Sequence, residues 1–140
     1  MSASLTALTA WETLFDRLDV NKPVAGGSRA LLLVGGAGGV GSITIQLLKT
    51  LTDIQIIATA SRPESENWVR ALGADYVINH HHKLPEQVAA LGIGAPSWAF
   101  STNHSERYLP QLAELLAPQG RIALIDDPDV LDANPLKGKS

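Results

Sequence analysis

The chain of 140 residues contains no cysteine. Disulfide staples, thiol nucleophiles and Cys-ligated zinc are therefore excluded within it. A basic excess is also lacking: 11 Lys and Arg stand against 14 Asp and Glu, a net charge of −3. Non-specific nucleic-acid binding needs a basic surface, so no nucleic-acid partner is expected. No apolar run reaches the roughly 18 residues that a membrane span needs, so no membrane partner is expected. The first residues lack a basic stretch followed by an apolar one, so no secretory signal is expected and a cytoplasmic location is the default. What remains is ordinary globular composition, 45% hydrophobic and 18% charged, which excludes a disordered chain. The length suits one domain, with room for a core but little for a complete two-substrate enzyme.

Apolar spacing divides the chain into alternating elements. Leu5, Leu8, Trp11, Leu14, Phe15 and Leu18 form one stripe and predict a helix over Ser4 to Leu18. The unbroken run Ala30 to Val34 predicts a strand buried on both faces, as in parallel sheets covered by helices. A glycine-rich stretch and a helix over Ser42 to Leu51 follow. Further strands are expected at Ile54 to Thr59, Tyr76 to Ile78, Trp98 to Phe100 (the weakest) and Arg121 to Ile125. Helices are expected at Pro63 to Leu72, Leu84 to Leu91 and Ser105 to Ala117. Pro63 suits a first helical turn and Gly73 suits a stop. This alternation implies βαβ crossovers and a three-layer α/β/α domain around a doubly wound parallel sheet. A six-stranded version would need one more strand, so the expectation is that the sixth is truncated.

The strongest motif is Gly36-Ala37-Gly38-Gly39-Val40-Gly41, a G-x-G-x-x-G between a buried strand and a helix. That context makes it a dinucleotide-binding fingerprint of a Rossmann-type fold. Gly36 permits the tight turn, Gly38 the close approach of backbone to a pyrophosphate, and Gly41 the packing of helix on strand. The helix from about Gly39 offers its unpaired N–H groups and positive dipole end to the phosphates. The pyrophosphate site is thus assigned to Gly36, Gly38, Gly39, Val40 and Gly41.

About 20 residues beyond the last glycine, NAD-binding domains carry an acid for the ribose 2′-hydroxyl. Here the second strand ends in Ala60-Ser61-Arg62-Pro63, with no acid. A hydroxyl and a guanidinium before a helix start favour a 2′-phosphate, which predicts NADP(H). The plainer alternative is that Ser61 caps the helix and Arg62 is solvated. Ser101 and Thr102, after strand four, face the same crevice in this topology and are candidates for the nicotinamide side, with loop structure as the competing use.

The landmarks together resemble the cofactor-binding domain of the medium-chain dehydrogenase/reductase superfamily, in its zinc-type alcohol dehydrogenase-like and quinone oxidoreductase branch. They are the Leu5 to Trp11 helix, the glycine loop with Gln46 and Lys49, Ala58 to Arg62, Leu72 to Asp75, Val77 to His80, and Pro118 to Arg121. The resemblance implies an NADP(H)-dependent oxidoreductase that transfers hydride between nicotinamide and a carbonyl or enone. It implies that residues 1–140 are one NAD(P)-binding domain of a longer enzyme, without its GroES-like catalytic domain. On that reading the chain binds cofactor without turnover, has no catalytic residue of its own and binds no zinc. A homodimer is a further implication, because the family's sixth strand is often used in dimer contacts. The alternative function is a non-catalytic nucleotide-sensing Rossmann module. Such sensors commonly keep an acid after strand two, and this chain lacks one.

Other residues invite readings that their spacing does not support. His80, His81 and His82 are consecutive, so they point to alternate sides and are expected to form a polar loop rather than a metal site. The acids at 126, 127, 129 and 132 lack EF-hand spacing. Neither Tyr76 nor Tyr108 has a lysine four residues on, which disfavours short-chain-reductase chemistry. Trp11, Trp68 and Trp98 are expected in the core.

Overall fold

The computed structural model describes residues 3–22, 24–35, 39–79, 81–102 and 105–124; for 3–6 and 105–108 it describes the backbone alone. Five strands, β1 (Ser28–Val34), β2 (Gln55–Thr59), β3 (Tyr76–Ile78), β4 (Pro96–Ser101) and β5 (Arg121–Leu124), form one sheet in the order β3-β2-β1-β4-β5. Every neighbouring pair is parallel. The helices are α1 (Ala3–Trp11), α2 (Gly39–Leu51), α3 (Pro63–Leu72), α4 (Leu84–Leu91) and α5 (Ser105–Leu115).

Side-chain alternation in β1 explains the three layers. Leu31 and Leu33 point into one core with Leu14, Ile45, Leu48 and Val69, so α1, α2 and α3 cover that face. Ala30, Leu32 and Val34 point into a second core with Leu84, Val88, Leu112 and Leu115, which places α4 and α5 opposite. A strand covered on both sides must be apolar at every position, and that is why its sequence shows no alternation. β4 was the weakest strand by pattern because Ser97 and Ser101 interrupt it. It pairs with β1 and β5 and is buried along its whole length. The two serines satisfy β propensity poorly but lie in the middle of the sheet, where pairing on both edges decides the conformation.

The first helix departs from expectation. It is α-helical only to Trp11 and continues as a π-helical segment over Glu12–Arg17. The Leu18 N–H reaches back to the Thr13 carbonyl at 2.8 Å, five residues earlier. The wider turn rotates the apolar stripe. Ala10, Leu14 and Leu18 go inside, whereas Leu8 and Trp11 stand 51% and 45% exposed. Trp68 is also half exposed, so of the three tryptophans only Trp98 packs in the core.

Arg121, the last residue of the Pro118 to Arg121 landmark, closes the end of this helix. Its Nη1 donates to the carbonyls of Leu18 at 3.0 Å, Asp19 at 3.1 Å and Lys22 at 3.3 Å. The Leu18 carbonyl lies at the helix end, where no further turn supplies a donor; the Asp19 carbonyl also accepts the Lys22 N–H at 2.9 Å, so the guanidinium gathers the helix end and the turn after it. Arg121→Ala is expected to lower stability by about 1.5–3 kcal/mol, the range for hydrogen bonds to a charged group. An unchanged urea midpoint would show that water replaces the guanidinium at no cost.

The landmark acid Asp75 has a scaffold role. Its carboxylate accepts from Lys49 Nζ at 3.0 and 3.2 Å and from the Ile56 N–H at 2.9 Å. It thereby ties the last turn of α2 to the first half of β2. Gly73, at φ +127°, ends α3 as expected. A side chain there would overlap the Lys49 stem and disturb the same tie.

Candidate functional site

The strand order reverses between β1 and β4: β2 and β3 lie on one side of β1, β4 and β5 on the other. In open parallel sheets the crevice outside the carboxyl ends of such strands is where ligands bind. The residues after β1 and the first turn of α2 lie at this point. Gly36, Ala37 and Gly38 lie outside the described residues, so the central part of the glycine loop is not characterised. Gly39, Val40 and Gly41 are the first three residues of α2, with Val40 and Gly41 buried against the sheet. The first turn carries no acid. Its N–H groups and dipole thus meet no negative side chain of their own helix.

The entry to the loop is anchored from both neighbouring strands. Gly35 adopts φ +93°, a left-handed conformation that favours glycine. Its N–H donates to Thr59 Oγ1 at 3.1 Å, from the end of β2. From the end of β4, the Thr102 N–H and hydroxyl each donate to the Val34 carbonyl at 3.0 Å, and the hydroxyl also reaches the Gly35 carbonyl at 3.3 Å. Thr102 and Ser101 are fully buried. The Thr102 hydroxyl therefore shapes the loop entry instead of projecting into the crevice. Thr59 was missed by sequence reasoning, which treated it only as a strand residue. Its signal was a hydroxyl at the end of β2, but that signal has meaning only once β2 and β4 are known to flank β1.

On the β2 side, Ser61 and Arg62 border an open cavity of about 370 Å³. Glu66, Val77, Ile78, Asn79 and Gln87 also line it. Gln87 holds Asn79 by both backbone groups: its Oε1 accepts the Asn79 N–H at 2.9 Å and its Nε2 donates to the Asn79 carbonyl at 2.7 Å. Arg62 is the N-terminal flanking residue of α3, in an extended conformation, and no side chain caps this helix end. The capping role considered for Ser61 is thus not what the structure shows. The Arg62 side chain is exposed and has no hydrogen-bond or ion-pair partner among the described residues. A free guanidinium beside a helix N-terminus, in a cavity at the carboxyl edge of the sheet, fits a phosphate. No acid stands between Thr59 and Pro63 to oppose one.

His81 and His82 are exposed in the turn after β3; His80 lies outside the described residues, as do the acids at 126, 127, 129 and 132. Among the described residues no three His, Asp or Glu side chains converge as a metal site would require. Arg29 beside Asp53 holds that carboxyl below its ordinary range. The pair precedes or opens β1 and β2, so it sits at the opposite edge of the sheet from the crevice. A cavity of about 440 Å³ between α4 and α5 also reaches Gly94 and Ala95, before β4, and belongs to that far edge.

The sequence profile of the zinc-binding dehydrogenases matches residues 39–136. The chain belongs to the zinc-binding dehydrogenase family. It is similar to the cofactor-binding part of the medium-chain dehydrogenase/reductase superfamily in both sequence and fold. It is 38% identical, over 99% of its length, to a zinc-type alcohol dehydrogenase-like protein of Staphylococcus epidermidis, and spans 42% of that relative. Among solved structures, a Rhizobium etli CFN 42 protein provisionally assigned as a zinc-dependent alcohol dehydrogenase superposes with a TM-score of 0.85 at 59% identity. That match covers 89% of this chain and 36% of the other. An NAD-dependent alcohol dehydrogenase superposes with a TM-score of 0.73 at 32% identity, covering 86% of this chain and 34% of the other. The chain thus spans well under half of the family members it matches. Among the described residues no helix is long and apolar enough to cross a membrane.

Proposed function

We propose that this zinc-binding dehydrogenase family chain is an NADP(H)-binding domain of an oxidoreductase that acts on a carbonyl or enone. The observation that carries the choice of cofactor is Arg62, a guanidinium without a partner among the described residues, at a cavity whose strand end holds no acid. Likeness alone does not choose, since an NAD-dependent alcohol dehydrogenase shares the fold.

In this reading Gly36, Gly38, Gly39, Val40 and Gly41 receive the pyrophosphate, and Ser61 and Arg62 the 2′-phosphate. Thr59 and Thr102 set the loop entry by holding Gly35 and Val34, and the end of β4 that carries Ser101 and Thr102 borders the nicotinamide side without offering the Thr102 hydroxyl to it. The bound cofactor supplies the hydride; the residues of this chain bind and orient it. The substrate pocket and any zinc belong to the remainder of a longer polypeptide, of the length its relatives have. The chain alone therefore binds cofactor without turnover.

Titrating the chain with NADPH and NADH by calorimetry tests the assignment. One bidentate charged contact, about 1.5–3 kcal/mol, makes NADPH roughly 10- to 100-fold tighter. Equal affinities would overturn the NADP(H) reading. Separately, a chain that oxidises NADPH on addition of a simple enone would contradict the absence of turnover.

A further inference from the structure

We propose that Arg70 is a specificity-determining positioning residue, which keeps Arg62 open to a phosphate by holding Glu66 away from it. The proposal rests on the reading of Arg62 as the 2′-phosphate anchor. Glu66 lines the same cavity as Arg62 and is the only acid among the described residues that do so. It stands four residues after Arg62 and four before Arg70. The Glu66 N–H donates to the Arg62 carbonyl at 2.9 Å, which brings Arg62 into the first turn of α3. Arg70 is its helical neighbour one turn on, and Arg62 borders the same cavity, so the Glu66 carboxylate stands between two arginines.

The structure assigns Glu66 to Arg70. Its Oε2 accepts from Arg70 Nη2 at 3.2 Å and from Nε at 3.4 Å. Arg62 is left without a partner. The opposite pairing would harm phosphate binding twice. It would occupy the donor fork of Arg62, and it would place a carboxylate beside the incoming phosphate. Arg70 does not line the cavity, so its effect on a ligand passes through Glu66. No motif marks it, because its role depends on which of two arginines the acid selects.

The test uses adenosine 2′,5′-bisphosphate and adenosine 5′-monophosphate, which differ by the 2′-phosphate. Affinities are measured by calorimetry for the full chain, Arg70→Ala, Glu66→Gln and the double variant. Alanine is the strongest helix former, so Arg70→Ala leaves α3 intact. Arg70→Ala is expected to weaken the bisphosphate about three- to fivefold, the scale of an exposed ion pair, and to leave the monophosphate unchanged. Adding Glu66→Gln is expected to restore the parent affinity, a recovery that a merely helix-stabilising Arg70 would not produce. Equal weakening of both ligands, no weakening, or no recovery in the double variant overturns the proposal while the parent still prefers the bisphosphate. A parent that binds both ligands equally overturns the anchor reading itself.

Discussion

Replacing Arg62 by alanine is expected to abolish most of the preference for NADPH over NADH that the proposed function assigns to this chain. The expected loss is about 1.5–3 kcal/mol in NADPH binding, with NADH changed by less than about 0.5 kcal/mol. The asymmetry follows from geometry. Arg62 flanks α3 without capping it and contributes no core surface, so its removal leaves the fold as it was. Only a ligand with a phosphate at that position notices the change. Arg62→Lys is expected to fall between the two, because an ammonium keeps the charge and loses the planar fork that matches two phosphate oxygens. The preference of the parent chain is also expected to shrink between low and high salt, since the contact is exposed and screened. Calorimetric titration of both cofactors against both variants measures all of this. A substitution that weakens NADPH and NADH alike would place Arg62 on a part of the nucleotide that both share.

The second large effect concerns stability and lies at the other edge of the sheet. Gly27 precedes β1, and a Cβ built on it would overlap the Ser97 hydroxyl and press on the Ala117 side chain at 3.2 Å. Its backbone needs no left-handed conformation, so the requirement for glycine is purely steric. Ser97 cannot yield cheaply. It is 2% exposed, and its hydroxyl donates to the Ser28 carbonyl at 2.6 Å. Turning it away breaks a buried hydrogen bond; leaving it forces β1 and β4 apart. Gly27→Ala is therefore expected to destabilise by about 2–4 kcal/mol, the sum of overpacking and a lost buried partner. For a chain of this length that is a fall in Tm of roughly 10 °C. Ser97→Ala removes the obstructing atom, so the double variant is expected to be more stable than the two single losses added together, by at least about 1 kcal/mol. Strictly additive losses would mean that the clash is relieved by backbone movement instead.

Much of the fold was legible because its signals are local. α3 and α4 run over Pro63–Leu72 and Leu84–Leu91, and β3 over Tyr76–Ile78, as their punctuation and spacing predict. Proline at a first turn and glycine at a stop act within a few residues, so nearby sequence is enough. Two errors show where local reading ends. The stripe from Leu5 to Leu18 assumed a uniform helical period, and the π-helical turn at Glu12–Arg17 sends Leu8 and Trp11 outward. β4 was only a three-residue signal because its serines are buried by neighbours that lie far away in the chain.

By itself the sequence determined the alternation of elements, the buried first strand, the glycine fingerprint and the missing acid at the end of β2. Each of these is a matter of residue type at close spacing. Only the tertiary structure decided that Thr59 and Thr102 hold Gly35 from opposite sides, that Thr102 faces inward, and that Glu66 pairs with Arg70 and leaves Arg62 open. Those outcomes depend on which strands become neighbours and on which of two equivalent partners a side chain meets, and sequence spacing does not encode either choice.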